Sequence, residues 1–231
     1  MRITKNLEDL KERISHACAL AGRNENEVSI LAVSKRHSIE AIKEAQAAGL
    51  NSVGENYLQE ALHKIHECSP ETVWHFIGQI QSNKTRAIAE NFDWVQTVAS
   101  QKTAGRLARQ RPASLEPLNV CVQVDIDGNN AHGGISIAAT EELCSIVKQL
   151  PALRLRGLMT IPVPETEIAE QRKSFALLRH LFEELRAKGY QLDTLSMGMT
   201  GDLEAGILEG STMIRIGTAL FGTRPDATGI R

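Results

Sequence analysis

A lysine follows an apolar run near the start of the chain. The run at 30–33 has the composition of a buried strand, and Lys35 comes where that strand should emerge, before Ser38 begins a helical stretch. A lysine at this place has two interpretations. It is either a solvated charge at a strand end, or a nucleophile that faces a pocket and forms a Schiff base with a carbonyl group.

Two glycine-containing segments near the other end of the sequence are candidates for binding an anion. They read SMGMTGD at 196–202 and RIGTALFG at 215–222. Glycines let the backbone approach an oxyanion closely, and Gly217 and Thr218 could present amides at the start of a short helix. The hydroxyls of Ser196 and Thr218 lie beside them. Taken separately, each segment is equally well explained as an ordinary turn.

Eight short apolar runs alternate with helical segments, and each run predicts a strand. They cover 28–33, 51–53, 73–77, 94–97, 119–125, 153–159, 192–196 and 213–216. The pattern is weakest between 85 and 119. Eight strands, each followed by a helix, predict an α/β fold with a single parallel (β/α)8 barrel of the TIM type. An open doubly wound sheet with two domains is the alternative. Because no linker divides the sequence, one domain over 1–231 is expected.

Apolar residues at helical spacing predict the helices between these strands. The clearest are 139–150 and 166–187, where one face carries the large apolar side chains. Residues 3–22 predict an extra leading helix that covers one end of the barrel. Ser38 and Thr200 are predicted N-caps, because each precedes a helical stretch with an acid in its first turn.

The residues that follow the strands of a parallel barrel share one rim, where such folds keep their chemistry. The rim residues predicted in this way are Lys35, Asn56, His75, Asp125, Met159, Ser196 and Arg215. A rim with one carboxylate is unsuited to a hard metal ion or to glycoside hydrolysis, and it suits an anionic ligand. The two glycine segments follow the seventh and eighth strands, where barrels often bind phosphate. For His75, strand alternation favours a hydrogen-bonded position inside the barrel over one facing the ligand.

A lysine that can react with a carbonyl group and a phosphate site on the same rim together indicate a ligand that is a phosphorylated aldehyde. Pyridoxal 5′-phosphate (PLP) has both features and forms Schiff bases with lysine. Arg215 keeps its proton, so beside the pyridine nitrogen it would hold that nitrogen unprotonated and weaken the ring as an electron sink. The alternative for Arg215 is a salt bridge across the rim to Asp125 or Glu55.

Several ordered motifs resemble the pyridoxal phosphate homeostasis proteins, which are related to the N-terminal barrel domain of alanine racemase. The motifs are LAVSKRHSIEAI, SVGENYLQE, WHFIGQIQSNK, RLRGLMTIP and LSMGMTGDLEAGILEGSTMIRIGTALFG, and the similarity runs from about residue 5 to 224. The resemblance implies a (β/α)8 barrel that holds PLP as an internal aldimine on Lys35. The cofactor-binding residues that it implies are Lys35, Asn56, Met159, Ser196, Met197, Gly198, Arg215, Gly217 and Thr218.

The resemblance also implies a role without catalysis. Members of this family are regarded as carriers or regulators of vitamin B6 and amino-acid balance. PLP is then the ligand, and PLP-dependent apo-enzymes or enzymes of the vitamin B6 pathway are the candidate partners. Many relatives carry further lysines where this chain has His37 and His132. If those lysines help to transfer the cofactor between sites, this chain lacks that property. The binding expected at Lys35 is not affected.

Two catalytic alternatives remain: a slow PLP-dependent racemase or lyase, and a Schiff-base aldolase that uses Lys35 without a cofactor. Racemisation of the alanine racemase type needs a lysine and a tyrosine on opposite faces of the substrate, and a second domain that closes the pocket. The tyrosines are Tyr57 and Tyr190, and Tyr57 is expected to pack under its helix. No second domain is expected after residue 224. Non-catalytic binding by a monomer is therefore the first hypothesis.

The composition indicates a cytoplasmic globular protein. The 231 residues are 42% hydrophobic and 23% charged, with a formal net charge of −2, which is ordinary for a globular chain. Four scattered cysteines without a CxxC pair are typical of reduced cytosolic thiols. No run approaches the roughly 18 apolar residues of a membrane span. Balanced charge with few aromatic residues argues against a nucleic-acid partner, and no metal site is expected.

Overall fold

Eight parallel strands form a closed barrel in residues 2–223, the part of the chain that this computed structural model describes. The barrel strands are β1 (Ser29–Val33), β2 (Ser52–Glu55), β3 (Val73–Phe76), β4 (Trp94–Val98), β5 (Leu118–Asp125), β7 (Leu153–Met159), β8 (Thr194–Met199) and β9 (Met213–Ile216), while β6 (Ile135–Ser136) is a short strand at the end of β5. The helices around them are α1 (Arg2–Ala21), α2 (Ile39–Ala47), α3 (Leu58–Glu67), α4 (Thr85–Asn91), α5 (Gln101–Gln110), α6 (Ile137–Lys148), α7 (Ile168–Ala187), α8 (Leu203–Leu208) and α9 (Thr218–Phe221). Met1 and 224–231, the two ends of the predicted domain, lie outside the described residues.

The strand order confirms the barrel and excludes the open sheet. Neighbouring strands follow the order β4, β3, β2, β1, β9, β8, β7, β5, and β5 pairs in turn with β4, so the sheet closes on itself. Every one of these pairs is parallel. Parallel closure brings the carboxyl ends of the strands to one rim.

Alternation along β1 determines which side of the barrel wall each side chain occupies. Leu31 and Val33 belong to a buried apolar cluster inside the barrel, whereas Ala32 packs in the layer between strands and helices. The ladder continues past the strand, because the Ser34 N–H donates to the carbonyl oxygen of Gly54 at 3.0 Å. Since side chains alternate with a period of two, the next inward position after Val33 falls at Lys35.

The leading helix α1 packs in the outer helical layer, beside α2, α8 and α9. The expectation that it covers one end of the barrel is therefore wrong. The reason is the length of α9, whose four residues are too few to cover the outer face of β9. The apolar stripe of α1 instead shares one buried cluster with Ala32, Ile214 and Ile216. The residues of that stripe are Ile3, Leu7, Leu10, Ile14, Ala17 and Cys18.

One of the two predicted N-caps is confirmed. The Ser38 hydroxyl accepts the N–H of Ala41 at the start of α2. Thr200 is not a cap, because the N-cap of α8 is Asp202. The Thr200 hydroxyl instead accepts the N–H of Ala219 at 3.3 Å, which ties the loop after β8 to the start of α9.

Within residues 2–223, no helix combines the length and the apolar character needed to cross a membrane. The same residues hold no group of three or more His, Cys, Asp or Glu side chains arranged to bind a metal ion. The cysteines are free thiols, and three of them, Cys18, Cys121 and Cys144, are buried. Burial raises the pKa of the Cys121 thiol to about 12, so this side chain behaves as an apolar core residue.

Candidate functional site

Lys35 lies in a tight turn directly after β1. The turn is closed by the N–H of His37, which donates to the carbonyl oxygen of Ser34 at 3.0 Å. Arg36 adopts φ +63° in this turn, a left-handed conformation that is uncommon for a side chain of its size. Lys35 itself is half-buried.

The structure brings the Lys35 turn and the two glycine segments together. β1 and β9 are neighbours, with Leu31 opposite Arg215. A Cβ atom placed on Gly217 would lie 3.5 Å from the carbonyl oxygen of Val33, two residues before Lys35. The loop after β8 joins the same surface through the hydrogen bond from the Ala219 N–H to the Thr200 hydroxyl. The turn that carries Lys35 and the two glycine-containing segments therefore meet at one side of the rim.

Glycine is required at position 198, near the end of β8 and within the first glycine segment. Gly198 has φ +94°, and a Cβ atom there would lie 3.3 Å from Cα of Leu203. The neighbouring Met197 side chain is fully buried in the cluster between strands and helices, so only its backbone faces the rim. In the second turn, Gly217 precedes α9 and Thr218, its first residue, is exposed. These residues offer backbone groups and one exposed hydroxyl to a ligand.

Arg215 is buried inside the rim and its hydrogen bonds go to neutral groups. One guanidinium nitrogen donates to the carbonyl oxygen and the hydroxyl of Ser196 at 2.8 and 2.9 Å. The other donates to the carbonyl oxygen of Thr160 at 2.7 Å. Burial lowers the pKa of Arg215 to about 10, against the opposing attraction of Asp202. The guanidinium therefore remains charged at neutral pH and links β9 to β8 and to the end of β7.

The salt bridge considered for Arg215 is absent among the described residues. The carboxylate of Asp125 accepts the N–H groups of Gly128 and Asn130 in its own loop. Glu55 faces the helical layer and pairs with Lys64 of α3. Both acids turn away from the barrel axis, because Asp125 is drawn into a tight loop and Glu55 occupies an outward position of β2.

Gln96 was not singled out from the sequence, yet it connects the groups at the centre of the barrel. Its amide oxygen accepts the Ser196 hydroxyl at 2.7 Å, and its amide nitrogen lies 3.0 Å from Nδ1 of His75. Because Ser196 has one hydroxyl hydrogen, donation to Gln96 leaves its lone pairs for Arg215. Gln96 therefore fixes the orientation in which Ser196 receives the guanidinium. A polar residue at an inward position of an apolar strand was the available signal.

His75 is a core residue, as strand alternation predicted. Its ring stacks on Trp94 with centroids 5.0 Å apart, and the guanidinium of Arg156 lies 4.6 Å from the centroid of the Trp94 ring on the barrel wall. Burial lowers the pKa of His75 to about 3, with a further contribution from Arg156. The imidazole is neutral at physiological pH, so it accepts at Nδ1 from Gln96 and is not a general base for the rim.

Asn56 carries the clearest sign of an occupant. It follows β2, and its side-chain oxygen is buried with no hydrogen-bond partner among the described residues. Buried polar atoms are normally paired, so this oxygen is suited to a donor from a ligand. The backbone of Asn56 packs directly against Gly78, because a Cβ atom on Gly78 would lie only 2.0 Å from the Asn56 carbonyl oxygen. Met159, the other predicted neighbour, is fully buried with Trp94 and Cys121 below the rim.

Tyr57 is placed differently from the expectation. It was expected to pack under its helix, but it is the N-cap residue of α3 and is 48% exposed. The guanidinium of Arg36 lies 5.8 Å from the centre of its ring. An exposed residue at the head of a helix does not pack beneath that helix.

A parallel barrel with a lysine after its first strand and glycine turns after its last two is a barrel of the alanine racemase N-terminal type. The profile of that family, described as alanine racemase, N-terminal domain, matches residues 5–225. The pyridoxal phosphate homeostasis protein of Pseudomonas aeruginosa is 53% identical over 223 residues, which cover 96% of each chain. The chain belongs to the family of pyridoxal phosphate homeostasis proteins.

Solved structures agree with this assignment. PipY of Synechococcus elongatus, described with PLP bound, has a TM-score of 0.79 and 38% sequence identity, covering 92% of this chain and 99% of PipY. An alanine racemase of Clostridium difficile has a TM-score of 0.77 over 98% of this chain and 58% of its own. At 16% identity the likeness to the racemase concerns the fold alone.

Proposed function

We propose that this protein binds PLP at the rim, covalently through Lys35, and takes part in PLP homeostasis without catalysing a reaction. The observation that carries this proposal is the meeting of the Lys35 turn with the two glycine turns, where Gly217 lies beside the carbonyl of Val33. An amine next to an oxyanion site matches a phosphorylated aldehyde. When bound, PLP supplies an aldehyde that reacts with amines and a pyridine ring that withdraws electrons.

The residues present fit this ligand. The unpartnered side-chain oxygen of Asn56 can accept a hydrogen bond from the cofactor, and the left-handed Gly198 allows close approach of a phosphate to the backbone. Gly217 and Thr218 complete the phosphate site, with Ser196 and Met197 contributing through their backbone. Met159 supports the floor of the site. Lys35 contributes the bond itself, an imine between its Nζ atom and the aldehyde carbon that forms with loss of one water molecule.

Arg215 gives a reason for the absence of catalysis. Racemases and lyases that use PLP depend on the ring as an electron sink. Placed beside the pyridine nitrogen, a guanidinium that is fixed by three hydrogen bonds and stays protonated would not donate its proton, so the ring would remain a weak sink. The exposed Tyr57 is not held as a second base. We infer a carrier or regulator of vitamin B6 and amino-acid balance.

The same proposal covers partners and location. PLP is the ligand, and PLP-dependent apo-enzymes or enzymes of the vitamin B6 pathway are the proteins with which such a carrier would exchange it. We propose that the chain acts as a monomer in the cytoplasm. The relatives support the ligand, since PipY is described with PLP bound and the Pseudomonas aeruginosa protein is named for PLP homeostasis.

An absorption spectrum of the purified protein tests the covalent site. Wild type incubated with PLP should show the visible band of a lysine imine, and borohydride should fix the cofactor to the peptide that contains Lys35. Lys35→Ala should lose the band and keep its folding transition, because the residue follows β1 and lies outside the core clusters. A band that persists in Lys35→Ala would overturn the assignment, and wild type without any band would favour an aldolase.

Incubation with single amino-acid enantiomers tests the absence of catalysis. Prolonged reaction of the PLP-loaded protein with L-alanine, L-serine or L-threonine, followed by chiral chromatography, should return the starting enantiomer. A free-PLP control of equal concentration corrects for the reactivity of the cofactor itself. Racemisation or cleavage above that control, abolished by Lys35→Ala, would establish the slow racemase or lyase instead.

A further inference from the structure

A buried ionic cluster lies on the outer side of the barrel wall, behind the turn that carries Lys35. Its centre is Lys64 of α3, which is 4% exposed, and its nearest acid is Glu55 at the end of β2, which is fully buried. The Lys64 ammonium donates to Glu55 at 2.7 Å, to Glu60 at 2.6 Å and to the carbonyl oxygen of Ser34 at 2.8 Å. An ammonium has three hydrogens, so each of them has an acceptor.

The cluster contacts the chain on both sides of Lys35. Before it, the Ser34 hydroxyl donates to Glu55 at 2.5 Å, and the Ser34 carbonyl accepts from Lys64. After it, the N–H of Arg36 donates to the carboxylate of Glu60 at 2.6 Å. The two residues that flank Lys35 are therefore tied to different members of one cluster, Ser34 to Glu55 and Lys64 and Arg36 to Glu60. No contact to Lys35 itself is needed for this arrangement to fix where its Cα atom lies.

The turn requires such support because its backbone conformation is unfavourable. Arg36 and Asn130 are the non-glycine residues with positive φ in the described part of the chain. Asparagine visits this region routinely, whereas other L-residues are disfavoured there by a clash of Cβ with the backbone. A residue such as Arg36 stays left-handed only when its surroundings hold it. The bond from its N–H to Glu60 adds to the hydrogen bond that closes the turn, from the His37 N–H to the Ser34 carbonyl oxygen.

We propose that Glu60 and Lys64, supported by Glu55, are positioning residues that hold Lys35 in the place from which it bonds the cofactor. This proposal rests on the proposed function, because it assigns the cluster a purpose through the covalent role of Lys35. The three side chains act through the backbone of Ser34 and Arg36. Burial raises the pKa of Glu55, and the positive charge of Lys64 opposes that rise.

The alternative is that the cluster merely anchors α3 to the barrel. Two features of the geometry favour positioning. An anchor between β2 and α3 needs only the bond from Lys64 to Glu55, yet Lys64 also reaches the Ser34 carbonyl. Glu60 is partly exposed, with 27% of its side chain accessible, so its bond to the Arg36 N–H is not forced by burial. Both additional contacts end on the turn.

Amide hydrogen exchange in the cofactor-free protein tests the first half of the proposal. The comparison is between wild type, Glu60→Ala and the matched control Glu141→Ala, which removes a helical glutamate paired to Lys188 at 2.5 Å elsewhere on the surface. The Arg36 amide should exchange at least about tenfold faster in Glu60→Ala, since about 1.4 kcal/mol is a factor of ten. Exchange at Arg36 should match wild type in Glu141→Ala. Equal exchange in all three proteins would overturn the proposal.

Formation of the imine with added PLP tests the second half. Glu60→Ala should form the lysine imine about tenfold more slowly than wild type and Glu141→Ala do. Glu60→Gln keeps an acceptor for the Arg36 N–H and should retain most of the wild-type rate. Arg36→Asn in the Glu60→Ala background should recover part of the loss, because asparagine tolerates the left-handed conformation. A helix anchor alone would not be rescued by a change at position 36.

The possible outcomes distinguish the positioning role of Glu60 from the covalent role of Lys35. If Lys35→Ala keeps the imine band, the covalent role of Lys35 fails, and exchange at Arg36 still reports whether Glu60 holds the turn. If Lys35→Ala loses the band while Glu60→Ala forms it at the wild-type rate, the covalent role stands and the positioning role is refuted. A Glu60→Ala protein that is slow and is not rescued by Arg36→Asn likewise refutes it.

Discussion

Protonation of His75 should destabilise the protein in mild acid, because this imidazole is neutral and buried at the centre of the barrel. Its pKa is lowered from 6.5 to about 3 by burial first and by Arg156 second. A base whose folded-state pKa lies below its unfolded value contributes stability that is present above pH 6.5 and is lost as the pH falls from 6.5 towards 3. The proton must also displace the Gln96 amide hydrogen from Nδ1.

The magnitude follows from the two pKa values. Between pH 7.5 and 5.0 the folded state should lose about 2 kcal/mol from His75, at about 1.36 kcal/mol for each unit of pH over which the unfolded imidazole is charged and the folded one is not. For a chain of this size, about 1 kcal/mol corresponds to roughly 2–4 °C in Tm. The expected contribution is therefore a fall of about 4–8 °C in Tm. His75 is 1% exposed, so solvent screening does not reduce it.

A comparison with His75→Asn isolates this contribution. Asparagine cannot be protonated in this range, and its side-chain oxygen replaces Nδ1 as acceptor for Gln96. Thermal unfolding of the cofactor-free protein at pH 7.5 and 5.0 should show the larger acid-induced fall in wild type. The raised pKa of Glu55 acts in the opposite direction, but it is common to both proteins and cancels. The same pH dependence in both, or an NMR titration of His75 near pH 6.5, would refute the reasoning.

Three further substitutions test the packing that supports the site. Gly157→Ala should prevent normal pairing of β7 with β8, because its Cβ would lie 1.6 Å from the carbonyl oxygen of Thr194. The free energy of unfolding should fall by more than about 4 kcal/mol. A urea unfolding midpoint near that of wild type would contradict this prediction. Lys64→Met should lower the free energy of unfolding by about 3–5 kcal/mol, because it leaves Glu55 unpaired in the interior. The double variant Lys64→Met with Glu55→Leu should recover most of that loss in urea unfolding. A single variant as stable as the double variant would contradict the buried ion pair. Arg215→Met should lower the free energy of unfolding by about 1.5–3 kcal/mol even without cofactor, and an unchanged Tm would show that the guanidinium contributes nothing to the folded barrel.

The sequence predicted the strands best where apolar runs had clear ends. The seventh and eighth predicted strands differ in how well their predicted ends agree with the structure. The run at 213–216 matches β9, whereas 192–196 falls short of β8, which continues to Met199. The end of β8 carries methionine and glycine rather than β-branched residues, so its composition resembles a loop. The two-residue β6 was not predicted, since a pair of residues has no periodicity to detect.

Features that depend on distant partners were beyond the sequence. The apolar stripe of α1 predicted that the helix packs, but not that it packs beside α9 rather than over one end. Lys35, Asn56 and Arg215 could be singled out because each lies at or near the end of a predicted strand and has a polar or charged side chain. Gln96 offered only the signal of a polar residue in an apolar strand, because its purpose depends on Ser196, a hundred positions away along the chain. Residue type indicated the chemistry, and long-range contacts determined how it is oriented.

The position of α1 has a consequence for synthesis of the protein. The helix precedes β1 in the chain, yet it covers β9, and its Asn6 side chain donates to the carbonyl oxygen of Leu220 at 2.8 Å, 214 positions later. During synthesis on the ribosome, the apolar face of this helix has no native partner until the residues around 220 have emerged. Contacts of such separation form slowly and expose apolar surface meanwhile. Docking of α1 should therefore be a late step, completed only when the residues near 220 are available.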